Sequence, residues 1–116
     1  MIVNEYILRC RNKLGDDIIP YRIQNNEIVE SLNYALQLAR NVRPSVRYSN
    51  GLLLENENDK PFQQSVNNVV RTELDRYAEA FILLAAARIL TNDVSDTYNP
   101  QVAERWRLQA MEILAT

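Results

Sequence analysis

Residues 73–90 constrain the fold more than any other part of the chain. They contain no glycine or proline, and the segment "AEAFILLAAARIL" within them is apolar around most of a helical circumference. A helix of this kind must be buried on several sides, so we expect it at the centre of the domain. Three consecutive alanines, at positions 85–87, permit a neighbouring helix to approach closely. Thr72 followed by Asp75 resembles a capping box at its start.

Two amphipathic helices are predicted before this central helix. The first has a plausible N-cap at Asn4 and ends at Gly15, a residue type typical of the position after a helix. The second begins near Asn25 or Asn26 and is closed by Pro44. Apolar residues recur at helical spacing at Val3, Ile7, Cys10 and Leu14 in the first helix and at Ile28, Leu32, Ala35, Leu36 and Ala39 in the second.

The last helix is predicted to start with Asn99 as N-cap and Pro100 at its first position. Its apolar stripe consists of Val102, Trp106, Ala110, Ile113 and Leu114. Between the second and third helices, Asn50-Gly51 is a hairpin-turn dipeptide flanked by β-tolerant runs. The sequence therefore predicts an all-α fold in a single domain over residues 1–116. It is a small four-helix bundle with a short β-hairpin-like or extended insertion at about residues 45–70.

The scarcity of histidine and cysteine limits the catalytic and metal-binding chemistry that the chain can support. The chain has no histidine and one cysteine, which excludes Ser-His-Asp and Cys-His nucleophiles and histidine- or thiolate-clustered zinc within one chain. The oxygen-rich stretch "TNDVSDTYNP" fails as a calcium loop, because Tyr98 stands where an EF-hand needs glycine when counted from Asp93. We expect no catalytic residue, no metal and no cofactor, and therefore no enzyme.

Charge patterning argues against a dedicated nucleic-acid binder. The formal net charge is −2, whereas dedicated nucleic-acid binders are usually basic. Arg105 and Arg107 lie about 200° apart around a helix and cannot form one patch, and Trp106 between them is better interpreted as core or interface. Arg40, Arg43 and Arg47 either compensate a helix dipole or dock onto an acidic surface or DNA phosphates.

The chain carries features of a protein made in the cytoplasm. Its N-terminus does not match a signal peptide, and the longest uncharged apolar run, Ala80–Ala87, is far shorter than the roughly 20 residues that span a bilayer. The lone Cys10 is predicted to be a buried structural residue, since free cysteine is often interior.

Two stretches of the chain resemble head–tail adaptor (connector, or head-completion) proteins of tailed bacteriophages. The first, residues 5–44, contains four short motifs of that family: Leu14-Gly15-Asp16, Pro20-Tyr21-Arg22, Glu27-Ile28-Val29 and Leu32-Asn33-Tyr34-Ala35. The second, "LDRYAEAFILLAAARILTNDVSDTYNPQVAERW", has the buried alanine-rich helix, acidic connector and short last helix. The chain departs from the family at Gln24-Asn25, where a Ser or Thr N-cap is expected. It departs again in its short middle segment, where many relatives have a longer β-rich insertion.

The resemblance implies a structural virion protein that forms a ring beneath the portal and extends the DNA channel. The ring would be a homo-oligomer, dodecameric by match to the portal, and would provide the docking surface for a tail, stopper or nozzle protein. Viral DNA would pass through it without sequence-specific binding, and no membrane is involved.

Candidate residues follow from charge and position. Arg40, Arg43, Arg47 and Trp106 are candidates for portal or subunit contacts. The acidic loop with Glu55, Glu57 and Asp59 is a candidate for the channel lumen, because carboxylates repel DNA phosphate.

Two other functions fit the same residues. One is a small cytoplasmic helical protein–protein interaction module. The other is a helix-turn-helix DNA binder, which is disfavoured because the connector Gly15–Gln24 is longer than the usual turn of three or four residues. A measurement of particle size separates a ring or portal-bound complex from a small oligomer.

Overall fold

Within the residues that the structure describes, the fold is built from four packed α-helices. A computed structural model of the chain describes residues 2–16, 19, 23–42, 48–49, 52–53, 72–92 and 100–115. Its helices are α1 (Val3–Leu14), α2 (Asn25–Val42), α3 (Ala78–Asn92) and α4 (Pro100–Ala115). A 3₁₀ helix, Thr72–Tyr77, leads directly into α3. The predicted all-α class and the four helices are confirmed.

Helix α3 lies at the centre of the bundle, as its composition predicts. It contacts α1, α2 and α4. Every residue from Ala80 to Ala87 is buried, and the three consecutive alanines have no exposed surface. Side chains this small allow the neighbouring helices to approach closely. Because neighbouring helices bury α3 on several sides, the helix has no continuous polar face.

The apolar stripes of α1 and α2 are buried as predicted. Val3, Ile7 and Cys10 of α1 lie in the same core as the five stripe residues of α2, and Leu14 packs against that core while partly buried. The stripe of α4 is only partly correct. Ala110 and Leu114 are buried as predicted and Ala103 is an addition, whereas Val102, Trp106 and Ile113 are half-buried.

The two ends of α1 differ in how well they were predicted. Gly15 adopts a left-handed backbone with φ of 72°, and its N–H and that of Asp16 bond to the carbonyls of Asn12 and Arg11 at 3.3 and 2.9 Å. This closes the helix as expected. The predicted Asn4 N-cap is wrong. Extended Ile2 holds the N-cap position, and its carbonyl accepts the N–H of Glu5 at 3.1 Å.

The start of the central helix also differs from the prediction. The α-helical winding begins at Ala78 instead of Glu73, because the preceding six residues are wound as a 3₁₀ helix, a common device at helix N-termini. The helix ends at Asn92, two residues beyond the predicted Leu90. The Thr91 hydroxyl donates to the Ala87 carbonyl at 2.8 Å, one turn earlier in the helix, a bond typical of Ser and Thr side chains within helices. Helix α4 begins at Pro100 as predicted, and Asn99 lies outside the described residues.

The predicted insertion between α2 and α3 is described at only four residues. Strands β1 (Tyr48–Ser49) and β2 (Leu52–Leu53) pair antiparallel, with Tyr48 opposite Leu53. Two residues per strand do not establish a hairpin, which remains a prediction. The rest of residues 45–70 falls outside the described residues. Among the helices that are described, none combines the length and apolarity needed to cross a bilayer.

Candidate functional site

A buried arginine ties α1 to the start of α2. Arg11 is 2% exposed, and its Nη1 donates to Asp16 Oδ2 at 2.9 Å and to the Ile23 carbonyl at 2.8 Å. Its Nη2 donates to Asn25 Oδ1 at the first residue of α2. Asp16 Oδ2 also accepts the backbone N–H of Ile23 at 3.0 Å. We call these four residues the Arg11 cluster. It fixes where the chain re-enters the fold after α1.

The core around α1 holds two titratable groups in their neutral forms. Burial raises the pKa of the Cys10 thiol to about 12, and the nearby Glu79 carboxylate adds to the increase. Burial also raises the pKa of the Tyr6 hydroxyl, with a further contribution from Asp75. Cys10 is fully buried and stays protonated at neutral pH, so it is not poised as a nucleophile. The predicted burial of Cys10 is confirmed.

Trp106 lies in an open groove between α1, α3 and α4. The groove has a volume of about 570 Å³ and is lined by Arg9, Asn12, Lys13, Glu79, Ile82 and Trp106. Lys13 Nζ sits 5.7 Å from the centre of the Trp106 ring and 4.0 Å from Glu79 Oε1. The indole is half-buried, and a cation lies over one face of its ring. This geometry is suited to an interface residue.

A second groove lies between α2, α3 and α4, with a volume of about 320 Å³. We call it the arginine groove. Its lining residues are Tyr34, Leu38, Leu84, Arg88, Thr91, Asn92, Arg107 and Met111. Among these described lining residues, three have aliphatic or thioether side chains, two are arginines, and none is acidic. An apolar surface with two cations is suited to a ligand that is partly apolar and partly anionic.

Both arginines of the arginine groove are held in place by neighbouring residues. The guanidinium of Arg88 lies 5.0 Å from the centre of the Tyr34 ring, and its Nη1 donates to the buried Ser31 hydroxyl at 2.9 Å. Arg107 donates through Nη2 to the Thr91 hydroxyl and through Nη1 to Glu104 Oε2 at 3.4 Å. Neighbouring side chains therefore orient the two guanidinium groups, one on α3 and one on α4.

The structure places only two of the residues chosen from the sequence. Trp106 lies in the first groove, whereas Arg40 is half-buried on α2 and lines neither groove. The structure does not bring these two together at one of the grooves. Arg43, Arg47, Glu55, Glu57 and Asp59 fall outside the described residues, so their predicted roles remain predictions.

Sequence reasoning missed the Arg11 cluster and the arginine groove. A signal for the groove was present, because Arg88 is the one charged residue after Glu79 in α3 and interrupts the apolar run from Ala80 to Leu90. A charge retained in such a helix indicates a specific neighbour. No comparable signal identifies Arg11, since a basic residue near a helix C-terminus is also typical of simple dipole compensation.

Comparisons with known proteins give no relative for the chain. No family model matches it, and searches of the curated proteins and of the solved structures find no match. No cluster of three or more metal-ligating side chains occurs in the part of the chain that the structure describes.

Proposed function

We propose that this chain is a non-enzymatic structural adaptor of the phage head–tail connector, a virion protein that forms a ring beneath the portal. The observation that carries the proposal is the place of the Leu14-Gly15-Asp16 motif, one of the motifs on which the resemblance rests. Gly15 supplies the left-handed residue that ends α1, and Asp16 accepts from both Arg11 and the Ile23 N–H. The motif therefore has a defined physical role in orienting α2 against α1.

Large apolar side chains on the surface support an assembly role. Leu8, Tyr34, Val42 and Leu108 are each 43–58% exposed. They lie on α1, α2 and α4, so each peripheral helix offers some apolar surface outward. Subunit contacts in a ring would bury such side chains and gain free energy from the apolar area removed from water.

Finer features of the proposal rest on the sequence. Arg40, Arg43, Arg47 and Trp106 contact the portal or a neighbouring subunit, and a β-hairpin-like insertion at about 45–70 carries the acidic loop to the lumen. The half-buried Trp106, with Lys13 over its ring, is the member of this set whose surroundings support a contact role.

The proposal is tested by the mass of the chain in the presence of a portal. The purified protein is mixed with the portal protein encoded in the same genome and sized by light scattering. Twelve chains of 13.5 kDa add roughly 160 kDa to the portal. The control is the chain alone, and Trp106→Ala should weaken the complex while circular dichroism shows the helices unchanged. A chain that never joins the portal would leave the proposal without support.

A helical protein–protein interaction module is the second candidate. The arginine groove favours it, because a pocket with held cations and an apolar surface can bind a partner without a ring. In the sizing experiment this protein stays a monomer or dimer whether or not the portal is present.

A further inference from the structure

In the arginine groove, no described residue balances the positive charge of Arg88. Arg107 already contacts Glu104. The contacts of Arg88 are the Ser31 hydroxyl and the Tyr34 ring, neither of which carries a negative charge. A half-buried guanidinium satisfied only by neutral groups retains N–H donors and a positive field for an anion.

The groove is also preorganised for binding. Tyr34 and Ser31, on α2, hold Arg88 of α3, while Thr91 holds Arg107 of α4. Thr91 is itself fixed by its bond to the Ala87 carbonyl. Because neighbouring residues already order the side chains, a ligand loses less conformational entropy when it binds them.

We propose that the arginine groove binds a short segment of a partner protein that presents a carboxylate beside a large apolar side chain. The carboxylate binds chiefly to Arg88, with Arg107 at the other side of the groove, and the apolar side chain packs on Leu38, Leu84 and Met111. An Arg–carboxylate pair is often bidentate, which gives the contact orientation as well as strength. The inference rests on this groove alone and does not depend on ring assembly.

Two features favour an acidic peptide over nucleic acid. Nucleic-acid surfaces use several exposed basic side chains along the path of the phosphates, whereas the described residues of this groove include two arginines, one of which is paired with Glu104. Its remaining surface includes Leu38, Leu84 and Met111, which suit an aliphatic side chain better than a phosphate backbone.

A displayed random-peptide library tests the proposal and does not require the partner to be identified first. The library is selected on the full chain, and enriched peptides are resynthesised with a fluorescent label for anisotropy titration. We expect Asp or Glu next to Leu, Ile, Phe or Met in the enriched sequences. Replacing the peptide's carboxylate by its amide should weaken binding at least about tenfold, since it removes a charge-assisted bond. This comparison leaves the protein unchanged.

Protein variants locate the binding to the groove. Arg88→Gln should weaken binding of the selected peptide at least about tenfold. Arg88→Lys keeps the charge but loses the planar guanidinium, so its affinity should lie between those of the unaltered chain and Arg88→Gln. Arg9→Gln makes the same charge change at an exposed site outside this groove and should leave affinity unchanged. Circular dichroism and melting confirm that each variant is folded.

Three results would overturn the inference. They are failure to enrich any peptide, enrichment of basic peptides, or acidic peptides that bind Arg88→Gln as tightly as the unaltered chain. Binding of a single-stranded oligonucleotide that competes with the selected peptide would instead assign the groove to phosphate.

Discussion

Arg11 is the largest fully buried side chain among the described residues, and its surroundings explain how a charge is tolerated there. Removing a guanidinium and a carboxylate from water costs several kcal/mol per ion. In the Arg11 cluster the cost is offset by the 2.9 Å ion pair with Asp16 and by bonds to Ile23 and Asn25. Such a network becomes strongly destabilising when only one of its charges is removed.

Asp16→Asn tests that dependence at nearly constant side-chain volume. It should lower the free energy of unfolding by about 3–5 kcal/mol, because the buried Arg11 guanidinium loses its 2.9 Å ion pair with Asp16. Urea denaturation followed by circular dichroism measures the loss. Glu5→Gln is the matched control, since the exposed Glu5–Arg9 pair contributes about 0–1 kcal/mol. Equal effects of the two substitutions would contradict the account of the cluster.

The raised pKa of the buried Cys10 thiol leads us to expect a decline in stability at alkaline pH. Its pKa is raised from 9.0 to about 12 by burial, so above pH 9 the unfolded chain ionises while the folded chain stays neutral. The contribution of the neutral thiol to the free energy of unfolding is fully present below pH 9 and is lost as pH rises toward 12. Cys10→Ala removes this contribution, so its urea midpoint should fall less steeply between pH 8 and pH 11 than that of the unaltered chain. Parallel slopes would show that the thiol ionises freely in the fold.

Among the described helices, α3 contributes the largest number of buried residues. Ile82 is 2% exposed and packs in the shared core. Ile82→Ala should therefore cost roughly 2–5 kcal/mol of unfolding free energy. Leu108→Ala removes a similar side chain from a 58% exposed position on α4 and should cost far less. Urea midpoints of the two variants make the comparison, and a negligible loss at Ile82 would place that face outside the monomer's core.

The helices could be predicted because their signals are local. Apolar spacing located the buried faces of α1 and α2, and Gly15 located the end of α1. The remaining features depend on residues that are distant in sequence. Ser31 and Arg88 are 57 residues apart, and no periodicity indicates that they bond. The partial exposure of Val102, Trp106 and Ile113 on α4 was missed for a related reason. Apolar spacing identifies one face of a helix but does not show how much of that face a neighbouring helix covers.

At the scale of the whole molecule, the proposed ring assigns the acidic loop to the DNA channel. Replacing Glu55, Glu57 and Asp59 by Lys should leave folding and assembly intact but slow DNA ejection, because each neutralised phosphate releases counterions and adds affinity. Ejection from virions carrying the triple variant, followed by dye access to the released DNA, measures the effect. A loop on the outer wall of the assembled ring would contradict the assignment.

Cryo-electron microscopy of the protein mixed with the portal protein of the same genome distinguishes the proposed ring beneath a portal from a free helical module. For the proposed ring we expect an axial layer of copies matched in number to the portal, with four-helix density corresponding to α1–α4 in each copy and a continuous central channel. Portal particles with no added layer, beside a free monomer or dimer of this chain, would contradict it.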